Sequence, residues 1–286
     1  RRFRHKRIEI ITSIAQEAAL SIQNEHLQRQ MRDRARLEHE LQLARRIQQT
    51  FLPQQLPELE GWELAAHWET AREVGGDFYD VIELPRQRLG LLIADVSDKG
   101  MPAALFMALT RTLVRAVVRE TLSPAEVLRR VNNLIIPDNH QQMFVTAVYL
   151  LISAESGEVR YANAGHNPPL WIQAASGNIQ PLPPTGMALG VVENARIEER
   201  TLPLRSGDVL LLYTDGLTEA FSAEGEMFGE ARLRALLQHE AWHSAPALLQ
   251  SIQNQVRAFV GDAPLTDDMT LLAARRLGKR RGRSAP

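Results

Sequence analysis

At 286 residues with 44% hydrophobic side chains, the chain has apolar mass enough for one large domain plus an appendage, or two small domains, and is not of disordered composition. It has no cysteine, which excludes disulfide staples and thiolate metal sites and suits a reducing cytoplasm. A net charge of −1 hides an uneven spread: residues 1–50 carry 11 Lys/Arg against 6 Asp/Glu, residues 275–286 carry 6 Lys/Arg and no acid, and residues 51–274 carry 16 against 28. An acidic body argues against nucleic acid as the main ligand, since a phosphate backbone wants a basic face, whereas crowded acids are what a divalent cation needs.

No apolar run approaches the ~18 residues that span a bilayer, and no signal peptide is visible. The first residue is arginine, as in a piece of a longer chain. Residues 6 to about 50 lack proline and glycine and read as one long helix or two in sequence. Ile8, Ile11, Ala15, Ala18 and Ile22 form a 3-4 seam, which Leu37, Leu41, Ala44 and Ile47 resume after the polar stretch 29–36. The expectation is a helical stalk that pairs with a second copy into a homodimer. Pro53 and Pro57 end it, giving domains of 1–57 (stalk), 58–276 (globular domain) and 277–286 (basic tail).

From Trp62 the period changes. Residues 62–69, 79–84 and 89–94 read as strands, the last a solid apolar run that ends at Asp95 and opens into Val96-Ser97-Asp98-Lys99-Gly100. Helices are expected over 101–120 and from the Ser123-Pro124-Ala125-Glu126 capping box to about 136. Strands follow over 144–152, 159–163 and 170–172, with 181–190 as a loop. Glu198–Pro203 and Asp208–Tyr213 complete this β-rich stretch, the last ending in Thr214-Asp215-Gly216. Residues 229–238 and 244–260 read as helices, and Asp267-Asp268 precedes a final apolar strand. Strands in antiparallel-looking runs with grouped helices predict an α+β fold of two packed sheets flanked by helices. His166, alone in a Gly-Pro turn, reads as a hydrogen-bonding residue ahead of a catalyst or ligand.

Chemistry enters with Val74-Gly75-Gly76-Asp77-Phe78-Tyr79-Asp80, where glycine freedom suits a sharp entry into the next strand. Asp77, Asp95, Asp215 and Asp267 each stand at the edge of an apolar strand, far apart in sequence. Converging carboxylates would repel one another and raise their own pKa values; bound divalent cations resolve that conflict. All-oxygen ligation points to Mg²⁺ or Mn²⁺, and two such ions roughly 3.5–4 Å apart serve in-line phosphoryl displacement.

The GGDFYD run, the 94–100 loop, Asn163-Ala164-Gly165-His166, Tyr213-Thr214-Asp215-Gly216 and Asp267-Asp268-Met269-Thr270 together resemble the RsbU/SpoIIE-type branch of the PPM metal-dependent serine/threonine protein phosphatases, over about Leu43 to Ala274. Ala44–Pro53 is similar to the linker that precedes such domains, and Ile10–Leu27 looks like the exit helix of a GAF-type sensory domain. The resemblance implies an αββα sandwich with two Mn²⁺ or Mg²⁺ ions in the cleft between the sheets. It implies a catalytic centre of Asp77, Asp95 and Asp215, with Asp95 bridging, the Val96 carbonyl as a ligand, and Asp267, or Asp268 in a shifted register, completing the set. Arg72 and Gly76 are the implied phosphate-holding residues. Asp98 stands where many members have glycine, and Ser97 where eukaryotic relatives carry histidine. The implied substrate is a phosphorylated STAS-type anti-sigma-factor antagonist, with regulation through the N-terminal helix in the cytoplasm. Two alternatives stand beside it: a phosphoprotein-binding pseudophosphatase, and a diguanylate cyclase, whose glycine-acid turn Gly75-Gly76-Asp77 superficially matches.

Overall fold

The structure, a computed structural model, describes residues 2–239 and 242–278. By internal contacts it divides at Ile47/Gln48 into two units. The first is helical: α1, Arg2–Phe51, is one continuous helix whose last turn, from Gln48, belongs to the second unit. Along it, Arg29–Glu25, Arg34–Glu38 and Arg36–Glu40 pair at i,i+4 spacing on a solvated face. Of the two apolar seams, Ile22 and Leu37 are exposed and Leu41 and Ala44 half-buried, while the side chains of Ile8, Ile11, Ala15 and Ala18 lie outside the described residues.

Among its described residues the second unit contains ten strands and five further α-helices. In order they are β1 Trp62–Glu69, β2 Phe78–Leu84, β3 Arg88–Val96, α2 Met101–Val117, α3 Pro124–Ile135, β4 Val145–Ser153, β5 Glu158–Ala164, β6 Leu170–Ile172, β7 Ile179–Pro181, β8 Arg200–Pro203, β9 Val209–Tyr213, α4 Asp215–Thr218, α5 Gly229–His239, α6 Ala245–Val260 and β10 Met269–Arg276. They form two five-stranded antiparallel sheets, ordered β1-β10-β9-β6-β7 and β2-β3-β4-β5-β8. This is the expected pair of packed sheets flanked by helices. Two elements escaped the sequence reading: β7, three residues long, and α4, which makes Asp215 the first residue of a helical turn. Helix α2 stops at Val117, short of the expected 120.

Layering follows from strand periodicity. On β9 and β10, Leu210, Leu212, Leu272 and Ala274 pack toward the other sheet, while Leu211, Tyr213, Leu271 and Ala273 pack with Leu248, Leu249, Ile252 and Val256 of α6. Both faces are covered, so these strands are apolar throughout. Helices α2 and α3 cover the second sheet. Ser123 caps α3, accepting from the Glu126 N–H, and Ser244 caps α6, accepting from the Ala247 N–H.

One fully buried charge fastens helix to sheet. The Asp80 carboxylate on β2 accepts from Arg115 Nε at 2.6 Å and its Nη2 at 2.7 Å and forms an ion pair with Arg111, whose Nε lies 3.1 Å away, both arginines being on α2. Removing Asp80 leaves Arg111, 13% exposed, without its countercharge. Asp80→Ala is expected to cost about 3–5 kcal/mol in urea unfolding; a loss below about 1 kcal/mol would show that the cluster does not anchor α2.

Candidate functional site

Four strand ends and one loop bring the acids together. Asp77 precedes β2, Asp95 lies near the end of β3, Asp215 opens α4 after β9, and Asp267-Asp268 leads into β10. Asp77 is 2% exposed. Its Oδ2 accepts from Thr214 Oγ1 at 2.5 Å and Thr270 Oγ1 at 3.0 Å, and its main-chain carbonyl accepts from Trp68 Nε1 at 2.8 Å. Threonines at the ends of β9 and β10 thus fix one oxygen of Asp77.

Each acid feels the others. Burial, then the nearby Asp95, pushes the Asp77 carboxyl well above the usual carboxylate range. Burial and the charge of Asp215 raise Asp95 to about 7, with Asp267 and Asp268 adding to the effect. Asp215 is raised by burial, then by Asp267 and Glu219, and is partly relieved by Lys99. These five carboxylates therefore share one electrostatic environment, as expected of charges crowded in a poorly solvated cleft.

Asp267 and Asp268 are held differently. Asp268 Oδ1 accepts from the Ala71 N–H at 2.8 Å and its Oδ2 from the Gly76 N–H at 3.0 Å, so this carboxylate is committed to the loop that presents Asp77. Asp267 meets Lys99 Nζ at 2.7 Å across the cleft, and its Oδ1 accepts from the Asp268 N–H. Gly75 and Gly76 serve this packing, and neither has a positive φ. A Cβ on Gly75 would run into the Asp268 carboxylate, and one on Gly76 would lie 2.9 Å from the Val96 carbonyl oxygen. The expectation that glycine supplied unusual backbone angles here is corrected: close approach is the reason.

The donor set fits a hard divalent cation, being all oxygen, buried and short of positive charge. Among the described residues no three such groups are already arranged as a finished coordination shell. Arg72 is exposed on the loop beside Ala71 and makes no hydrogen bond or ion pair among the described residues. A groove of about 1050 Å³ beside Pro53, Leu56, Val81, Arg88 and Arg119 holds none of the five acids.

Sequence reasoning missed several supports. Gln48, in the last turn of α1 and 3% exposed, donates from Nε2 to the Gly75 carbonyl at 2.6 Å and accepts the Gly75 N–H at 3.2 Å. The threonine hydroxyls on Asp77 lay inside noted motifs, but pairing across 137 and 193 residues leaves no local trace.

In cation-free protein the folded state holds protons on Asp95 up to about pH 7, the unfolded chain only to about pH 4. Between those values the folded state binds more protons, so stability falls as pH rises. Protein stripped of divalent ions is expected to melt higher at about pH 5.5 than at about pH 7.5, with a shallower slope in Asp95→Asn and recovery at the higher pH on adding Mn²⁺. A melting profile that climbs with pH over that interval would contradict the arrangement.

Comparison with known proteins agrees with this architecture. A family profile described as "Stage II sporulation protein E (SpoIIE)" matches residues 85–277. Protein IcfG of Synechocystis sp. is 34% identical over 264 residues, covering 83% of this chain and 41% of IcfG. Phosphoserine phosphatase RsbU of Bacillus subtilis is 27% identical over 240 residues, covering 84% of this chain and 71% of RsbU. In three dimensions the SiaA-PP2C domain of Pseudomonas aeruginosa superposes with a TM-score of 0.76 at 22% identity, over 85% of this chain and 98% of that domain. The chain thus spans less than half of IcfG, and its match to the family profile takes in β3 through β10. It belongs to the SpoIIE family, the RsbU/SpoIIE-type branch of the PPM phosphatases.

Proposed function

We propose that the chain is a Mg²⁺- or Mn²⁺-dependent phosphatase that removes phosphate from phosphoserine or phosphothreonine on a regulatory protein. The observation that carries this reading is the set of buried carboxylates from separate strand ends, each raising its neighbours' pKa, without enough cationic side chains to balance them. Two divalent cations, when bound, acidify water and neutralise phosphoryl oxygens during in-line displacement. Asp77, Asp95 and Asp215 form the centre, with the Val96 carbonyl beside them. Asp267 takes the ligand role in preference to Asp268: Asp268 holds two N–H groups of the Asp77 loop, whereas Asp267 holds the side chain of Lys99, a group a cation could displace, and the N–H of its neighbour. Arg72 is exposed on the loop before Asp77, and its guanidinium suits bidentate capture of phosphate; Gly76, the other candidate, has its N–H on Asp268 Oδ2.

The substrate class rests on the family: relatives carry the name phosphoserine phosphatase, and the resemblance points to a STAS-type antagonist. The absence of cysteine suits a cytoplasmic reaction, and no helix among the described residues is long and apolar enough to cross a membrane. Exposed Leu20, Ile22, Leu27, Met31 and Leu37 on α1 support homodimerisation through that helix, and Gln48 supplies a route from its end to the Gly75-Gly76-Asp77 loop.

With a phosphoserine peptide and an aryl phosphate, turnover is expected to require Mn²⁺ or Mg²⁺ and to drop roughly a hundredfold or more in Asp95→Asn and Asp215→Asn. Peptide binding without phosphate release by the intact chain would replace this reading with a pseudophosphatase, and consumption of GTP with a cyclase. In sedimentation at micromolar concentration the full chain is expected to be a dimer and a chain lacking residues 1–40 a monomer. Two monomers would remove the dimer from the proposal.

A further inference from the structure

His166 has no part in the chemistry above, yet it is 2% exposed and lies between the two sheets. Its loop leaves β5 of one sheet and enters β6 of the other, at the end of the sandwich where the acids gather. The backbone is pinned twice by one buried amide: the His166 N–H donates to Asn163 Oδ1 at 2.8 Å, and Asn163 Nδ2 donates to the His166 carbonyl at 3.0 Å. Gly165 has φ +68°, and a Cβ there would stand 2.9 Å from the Ala188 nitrogen, so the turn admits little else.

The imidazole bears on β4. Nδ1 is 2.7 Å from Thr146 Oγ1 on β4. Thr146 is the direct cross-strand partner of Asp95, so their side chains share a face of the sheet. On the other edge, Nε2 is shielded from solvent and has no hydrogen-bond partner among the described residues. Burial lowers its pKa to about 4, so the ring is neutral near pH 7.

We propose that His166 is a positioning residue, a strut that holds Thr146 and, through the face of the sheet they share, the placement of Asp95. The inference rests on the metal-phosphatase reading, in which Asp95 would hold the cations. Groups that orient ligands in this way typically affect metal affinity 10–100-fold.

The test is calorimetric titration of the full chain with Mn²⁺ at neutral pH, alongside thermal melting and phosphate release, for Thr146→Val, His166→Phe, their double variant and Leu128→Ala. Leu128 is a buried α3 side chain and controls for loss of stability alone. Thr146→Val and His166→Phe are each expected to weaken Mn²⁺ binding about tenfold or more, with the double variant no weaker than the worse single. Leu128→Ala is expected to melt lower with Mn²⁺ affinity within about twofold of wild type. If Thr146→Val and His166→Phe behave like Leu128→Ala, His166 is packing only and the strut is overturned while the phosphatase stands. If wild-type chain neither binds Mn²⁺ nor releases phosphate, the phosphatase falls and the strut with it.

Discussion

Mutual repulsion among buried carboxylates governs this molecule. Two aspartates three positions apart show why burial alone does not mark a site. Asp80 is fully buried but faces Arg111 and Arg115, so its charge is balanced and its work is to fasten α2. Asp77 is buried to nearly the same degree and faces other acids. Hydroxyls from Thr214 and Thr270 ease its cost without supplying charge, and the remaining deficit is what a cation would fill. Stiff strands with apolar residues on both faces hold the ends in place against that repulsion.

Much of this was legible in the chain. The apolar runs ending at Asp95 and Tyr213 announce strands covered on both faces, and an acid directly after such a run has few places to go but a shared cleft. Ser123-Pro124 and the proline pair after α1 mark helix ends through local chemistry. What stayed hidden is long-range. Nothing near Asp268 says that its two oxygens are taken by Ala71 and Gly76, so Asp267 and Asp268 could not be told apart from spacing. Gln48 sits in a polar stretch and looks solvated until its amide is found against Gly75. The glycine pair was recognised for the wrong reason, because crowding by a distant carboxylate and carbonyl leaves no mark on the local pattern.

The supports around the acids divide into two kinds. Asp268 and Gln48 act on the main chain of the Gly75-Gly76 loop and fix where Asp77 begins. Thr214, Thr270 and Lys99 act on carboxylate oxygens themselves. The first kind makes the loop's shape depend on the end of α1 and the start of β10. The second tunes how each acid presents its lone pairs. His166 stands apart from both, its ring meeting the hydroxyl of Thr146, the cross-strand partner of Asp95.

The first strand of the globular unit, β1, pairs along its whole length with the last, β10, and Asp268 closes the loop begun at Ala71 across 197 residues of chain. Contacts of such sequence separation form slowly, because a long loop must be closed before any of them is gained. During synthesis, therefore, a ribosome must release nearly the whole unit before the acids can meet. Until then the nascent polypeptide carries its aspartates apart and unable to chelate, so the capacity to act arrives with the final strand.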